Sequence, residues 1–116
     1  MNFTRDEFAC KCGCGFNTID YQLLEVLEDV RAYFDKPVFI NSGCRCISHN
    51  HSVGGSTNSQ HLYGRAADFV VKDTHADIVA DYLESKYQSI LGIGRYDGRT
   101  HVDTRVGRAR WDKRVV

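Results

Sequence analysis

Along residues 20–34 the apolar side chains Leu23, Leu27, Val30 and Phe34 recur three or four positions apart, gathering on one face of a helix from Asp20 to Phe34. Asp20 stands at its start, where the helix dipole favours a carboxylate. Pro37 closes that region, Val38-Phe39-Ile40 makes a short strand, and Asn41-Ser42-Gly43 turns the chain. A second helix is expected from about His75 to Tyr87, with Thr74 as N-cap and Ile78, Val79, Tyr82 and Leu83 facing inward. Strand patterns follow at 66–71, 90–96 and 99–104, and Asp97-Gly98 between the last two is a strong hairpin-turn signal. Together these elements make an α+β domain, a small mainly antiparallel sheet with two helices, without internal repeat or low-complexity linker across residues 1–116.

On the 66–71 strand Asp68 points the same way as Ala66 and Val70, while Ala67, Phe69 and Val71 face the opposite layer. A carboxylate among small and branched apolar residues is costly unless paired. One pairing is a salt bridge to an arginine such as Arg65 or Arg95. The other is a metal ion, because His61 lies seven residues upstream on the approach loop and Gly64 lets the backbone turn between them. Zinc accepts one imidazole and one carboxylate readily, leaving room for a second His and a water. Of the other histidines, only His101 stands in downstream strand context. In Thr100-His101-Val102-Asp103 the alternation places His101 and Asp103 on one face, so Asp103 can orient His101 or hold a water. His75 reads as a surface residue, and His49 and His51, flanking Asn50 ahead of Val53-Gly54-Gly55-Ser56, read as turn residues.

Composition bounds the picture. At 116 residues and 42% hydrophobic content the chain suits one compact soluble domain. No apolar run of about 18 residues is present, which excludes a transmembrane helix. The N-terminus lacks the basic stretch and apolar core of a secretory signal, so the expectation is synthesis in the cytoplasm without a signal peptide. Net charge is zero, yet residues 105–116 hold five basic groups against Asp112, a basic C-terminal tail that reads as a solvated end with Trp111 packing back. No interleaved aromatic platform accompanies it, so nucleic acid is not an expected partner. Cys10, Cys12, Cys14, Cys44 and Cys46 leave three alternatives: disulfides, a structural zinc site, or buried free thiols. One or two disulfides between the N-terminal cluster and the Cys44/Cys46 turn are favoured, which would hold the Arg45 loop in place.

Several blocks now stand in order: Phe8-Ala-Cys-Lys-Cys-Gly, the Ser42-Gly-Cys-Arg45 turn, Asn50 with Val53-Gly-Gly, Ser59-x-His61 to Asp68, and His101-Val-Asp103. Through them the chain resembles the zinc D-Ala-D-Ala carboxypeptidase-like metallopeptidases of peptidoglycan. That group includes the vancomycin-resistance dipeptidase and carboxypeptidase and several phage endolysins, and the chain is most similar to short phage and bacterial members. The resemblance implies the D-Ala-D-Ala metallopeptidase/hedgehog-like fold, and one Zn2+ per chain held by His61, Asp68 and His101. It further implies Arg45 and Ser59 as substrate-binding residues, the peptidoglycan stem peptide as substrate, and a monomer. Arg45 suits a substrate carbonyl or carboxylate because a guanidinium offers two parallel donors. Ser59 has an equal reading as a loop-capping serine.

The general base departs from the better-known members, which place an acid three residues before the last His ligand, where this chain has Gly98. Asp97 and Asp103 compete for the catalytic role, with Asp97 favoured as base and Asp103 as orienting group. The resemblance implies action on the cell wall after release from the cytoplasm, as in phage lysis, or a place in the virion. A non-catalytic wall-binding or phage structural protein that keeps the zinc-stabilised fold is the alternative, and a cysteine-zinc module binding nucleic acid is a further one.

Overall fold

The computed structural model describes residues 2–115, and residues 1 and 116 lie outside the described residues. Among these, helices α1 (Tyr21–Phe34), α2 (Ile47–Ser52) and α3 (Ala76–Lys86) accompany strands β1 (Val38–Ser42), β2 (Ala66–Val71), β3 (Leu91–Tyr96), β4 (Arg99–Asp103) and β5 (Arg108–Asp112). The strands form one sheet in the order β1-β2-β4-β3-β5. Every pairing is antiparallel except β3 with β5. The expected α+β class is therefore the observed one, with two additions: the short α2 and a fifth strand.

α1 forms as its periodicity requires. The Asp20 carboxylate accepts the Leu23 N–H at 3.3 Å and also the Thr104 hydroxyl at 2.9 Å, so the cap ties the helix to the end of β4. Leu23, Val26, Leu27 and Val30 are buried against Ala67, Phe69, Val71, Ile93 and Val102, the core face of the sheet, with Phe34 packed at the margin. α3 starts one residue later than expected, because His75 rather than Thr74 caps it, its Nδ1 accepting the Asp77 N–H. Its buried face is Val79, Ala80 and Leu83, and Ile78 is 54% exposed. At about 100° per residue, a face centred on 79, 80 and 83 turns position 78 outward. Tyr82 is half-buried, its hydroxyl donating to Asp29 of α1.

Asn41 and Ser42 extend β1 rather than making a turn, and a register irregularity between Ile40 and Ser42 leaves Ser42 opposite Asp68. The segment read as a basic tail contains β5, which runs beside β3 with Trp111 opposite Gly94. Its Arg110 donates to the carbonyls of Tyr87, Ile90 and Leu91, so a residue counted as surface charge closes backbone acceptors.

Gly64, which ends the 3₁₀ turn Gln60–Tyr63, has φ 67°, and a Cβ there would overlap the Thr18 carbonyl. Gly64→Ala is expected to lose about 1–2 kcal/mol from left-handed strain and more from that overlap, read as a lower urea midpoint at unchanged m-value.

Candidate metal centre

Antiparallel pairing sets Asp68 of β2 directly opposite His101 of β4, on the sheet face away from the core. His61 reaches the same place from the 3₁₀ turn, which is anchored where the Arg45 N–H donates to the His61 carbonyl at 2.9 Å. His61, Asp68 and His101 are all buried. They line a cleft of about 550 Å³ together with Arg45, Ser59, Tyr96, Arg99, Asp103, Arg105, Trp111 and Lys113.

The hydrogen bonds decide which atoms face the centre. His61 Nδ1 meets the Gly43 carbonyl at 2.5 Å, which can only accept, so Nδ1 carries the proton and Nε2 presents its lone pair 3.3 Å from Asp68 Oδ2. His101 Nδ1 lies 2.9 Å from Asp68 Oδ1, and its Nε2 lies 2.8 Å from Asp103 Oδ2. Asp103 is fully buried and is gripped by Arg105, with Nε to Oδ1 at 2.8 Å and Nη2 to Oδ2 at 2.7 Å. The outward nitrogen of each imidazole is thus fixed by an acceptor, the arrangement that orients metal-binding histidines.

One ligand atom from each of the three residues lies within 4.8 Å of the others. His61 Nε2 lies 3.3 Å from Asp68 Oδ2 and His101 Nδ1 2.9 Å from Asp68 Oδ1, so each imidazole stands beside its own carboxylate oxygen at about the 3.3 Å spacing of neighbouring ligands on zinc. Two imidazoles and a carboxylate facing an open cleft fit a zinc ion that keeps a free position.

Burial alone would raise the Asp68 carboxyl, yet its histidine partners, His101 first and then His61, hold it well below the usual carboxylate range. Asp103 is likewise held low, burial being outweighed by Arg105 and His101. For His101 burial opposes the proton, but hydrogen bonds to Asp103 and Asp68 raise its pKa above the ordinary value. When both ring nitrogens carry protons, His101 donates to both carboxylates. The folded pKa lies above the unfolded value of about 6.5, so the stabilisation is complete below that pH and is lost as pH rises through the folded pKa. Zinc needs the unprotonated ring, and the sign reverses for metal binding. Affinity is expected to fall about tenfold per pH unit once pH drops below the raised His101 pKa, measurable by zinc competition against a chromophoric chelator.

The structure brings His61, Asp68, His101, Asp103, Arg45 and Ser59 to one cleft and leaves Asp97 out of it. Asp97 is exposed at the Asp97-Gly98 hairpin turn, where its carboxylate accepts the Val115 N–H. Ser59 Oγ accepts the His61 N–H, a capping role, while also lining the cleft. The arginine beside Asp68 is Arg45, Nη2 at 3.4 Å, held by Ser42 and Asn50. Arg95 instead meets Asp81 and Glu84, and Arg65 lies over Tyr63. Asn50, Arg105, Tyr96 and Trp111 were not legible as site residues. Trp111 stands 5.0 Å from the His101 ring and donates to the Tyr96 hydroxyl. Gly92 and Gly94 carry a signal in retrospect: a Cβ on either would overlap the Asp103 carboxylate or the Trp111 indole.

Residues 1–103 match the family described as Peptidase M15. A 71-residue stretch, 59% of this chain, is 37% identical to the zinc D-Ala-D-Ala carboxypeptidase of Streptomyces albus G. The match covers 28% of that relative's length.

Proposed function

The chain belongs to the Peptidase M15 family, and from that premise we propose a zinc-dependent peptidase hydrolysing a bond in the stem peptide or cross-link of bacterial peptidoglycan. It acts as a D-Ala-D-Ala carboxypeptidase or an endolysin-type endopeptidase. The observation that carries this reading is the His61, Asp68 and His101 set, with both imidazoles oriented, at the base of an open cleft beside Arg45. These three residues would hold a zinc ion, which would supply a Lewis acid for the peptide carbonyl and a water of pKa near 7.

The rest is done by the chain's own groups. Arg45, Arg99, Arg105 and Lys113 line the cleft against only Asp68 and Asp103, so its field favours an anionic peptide. Arg45, pinned by Ser42 and Asn50, presents its guanidinium at the edge of the metal set, where a substrate carboxylate or developing oxyanion is stabilised. Asp103 keeps the proton on His101 Nε2 and so the lone pair on Nδ1. Trp111 packs beside the His101 ring along the cleft wall.

Digestion of purified peptidoglycan, with mass spectrometry of the fragments, tests the proposal. Defined peptide cleavage that disappears in His61→Ala is the expected result. One observation favours a second reading. Both carboxylates described as lining the cleft are already engaged, Asp68 with His61 and His101, and Asp103 with His101 and Arg105. A zinc-stabilised protein that binds wall peptide without cutting it, or serves as a phage structural part, needs no free acceptor. Bound zinc with intact peptidoglycan would select that reading.

A further inference from the structure

We propose a second zinc site, closed and structural, formed by the thiolates of Cys10, Cys12, Cys14 and Cys46 at the outer end of the Arg45 turn. The Cys10-Lys-Cys12-Gly-Cys14 segment is a tight loop: the Cys10 N–H donates to the Phe16 carbonyl at 2.7 Å and the Gly13 N–H to the Cys10 carbonyl at 3.2 Å. Gly13 and Gly15, with φ of 84° and 91°, supply the left-handed turns that bring alternate residues of the loop to one centre. Cys46 arrives from the opposite side, at the start of α2.

The sulfur geometry separates the three alternatives the sequence left open. Cys10, Cys12 and Cys46 form a triangle with Sγ···Sγ distances of 3.5, 3.8 and 3.7 Å. A disulfide needs about 2.05 Å, and all five cysteines are free, so the favoured disulfides are not formed. Zinc–sulfur bonds of 2.3 Å give a tetrahedral edge of about 3.8 Å, which the triangle matches. The fourth sulfur, of Cys14, completes a set with all members within 4.8 Å. Thiols acting as small hydrophobes would be buried, whereas Cys12 and Cys14 are exposed.

The hydrogen bonds mark the same division. Backbone N–H groups of Cys46 and His49 donate to Cys10 Sγ and Cys46 Sγ, both at 3.4 Å, as suits thiolate acceptors. Cys44 differs: its S–H donates to the carbonyls of Phe8 at 3.1 Å and Phe16 at 3.0 Å, a buried thiol that stays protonated. The odd count of five thus resolves into four ligands and one core thiol. Soft thiolates without an open position select a structural ion, and this one staples residues 10–14 to the turn carrying Arg45.

The site stands independently of the peptidase reading, and metal counting tests it on the full chain purified under reducing, chelator-free conditions. Two zinc ions per chain are expected, falling to one in Cys12→Ser/Cys14→Ser, whose changes lie on exposed positions, and to one in His61→Ala. Cobalt substitution identifies which site survives. The thiolate-to-cobalt charge-transfer band should persist in His61→Ala and vanish in the double serine variant. One zinc per chain with no such band in the wild type, or an intact mass showing disulfides within the cluster, would overturn the assignment while leaving the His61 site to its own test.

Discussion

Asp68→Asn is expected to abolish zinc retention at the His-Asp-His centre and to bring peptide hydrolysis below detection, while the sheet stays folded. The amide preserves the shape of the carboxylate but removes the only negative charge the proposed ligand set offers. Two imidazoles remain, with the Arg45 cation 3.4 Å from the altered position. Changing an outer partner of a metal site typically costs 10–100-fold in affinity or activity, and loss of a ligand should exceed that range. Competition with a chelator, alongside fragment analysis of digested peptidoglycan, measures both effects. An Asn variant that binds zinc within tenfold of the wild type would remove Asp68 from the ligand set.

Arg105→Ala carries the second large effect, through a residue that touches no proposed ligand. It strips the buried Asp103 carboxylate of its bidentate partner and leaves His101 to neutralise it alone. Breaking a fully buried pair costs 3–5 kcal/mol; because a third of the Arg105 side chain is exposed, water replaces part of the interaction and about 2 kcal/mol is expected. Urea unfolding of the metal-free protein reads this directly. Adding Asp103→Asn should recover most of the loss, since the uncompensated charge is then gone. Zinc affinity of the single variant should drop 10–100-fold as His101 loses its fixed orientation. A double variant as unstable as the single would show that Arg105 acts by packing over Trp111, 5.1 Å from that ring, rather than by charge.

How much of this was readable from residues follows from what each element depends on. β2 matches its expected range because Ala67, Phe69 and Val71 alternate against Asp68, and the β3–β4 hairpin because Asp97-Gly98 is a turn whatever surrounds it. Asp68, His101 and Asp103 were visible as a group since strand alternation fixes their faces, and His61 joined them as the histidine on the loop leading into β2. β5 was not, because Arg-Ala-Arg-Trp-Asp, although it alternates, offers only Ala109 and Trp111 to an apolar face and otherwise reads as part of a charged tail. Its strand state comes from the β3 ladder and from Arg110 satisfying backbone carbonyls, both tertiary facts. Arg105 was hidden for the same reason, its role existing only once Asp103 is buried. Asp97 drew attention by its nearness in sequence to His101, yet a residue at a hairpin tip projects away from the strands that carry the site.

The cross-strand placement of Asp68 and His101, 33 residues apart in the chain, also makes the ion a sensor of the folded population. An unfolded chain holds no such pair, so zinc at this proposed centre would bind the native state and shift its population by mass action. Free zinc at a hundredfold excess over the dissociation constant adds about 2.7 kcal/mol, so the midpoint of thermal unfolding becomes a function of how much metal the surroundings supply.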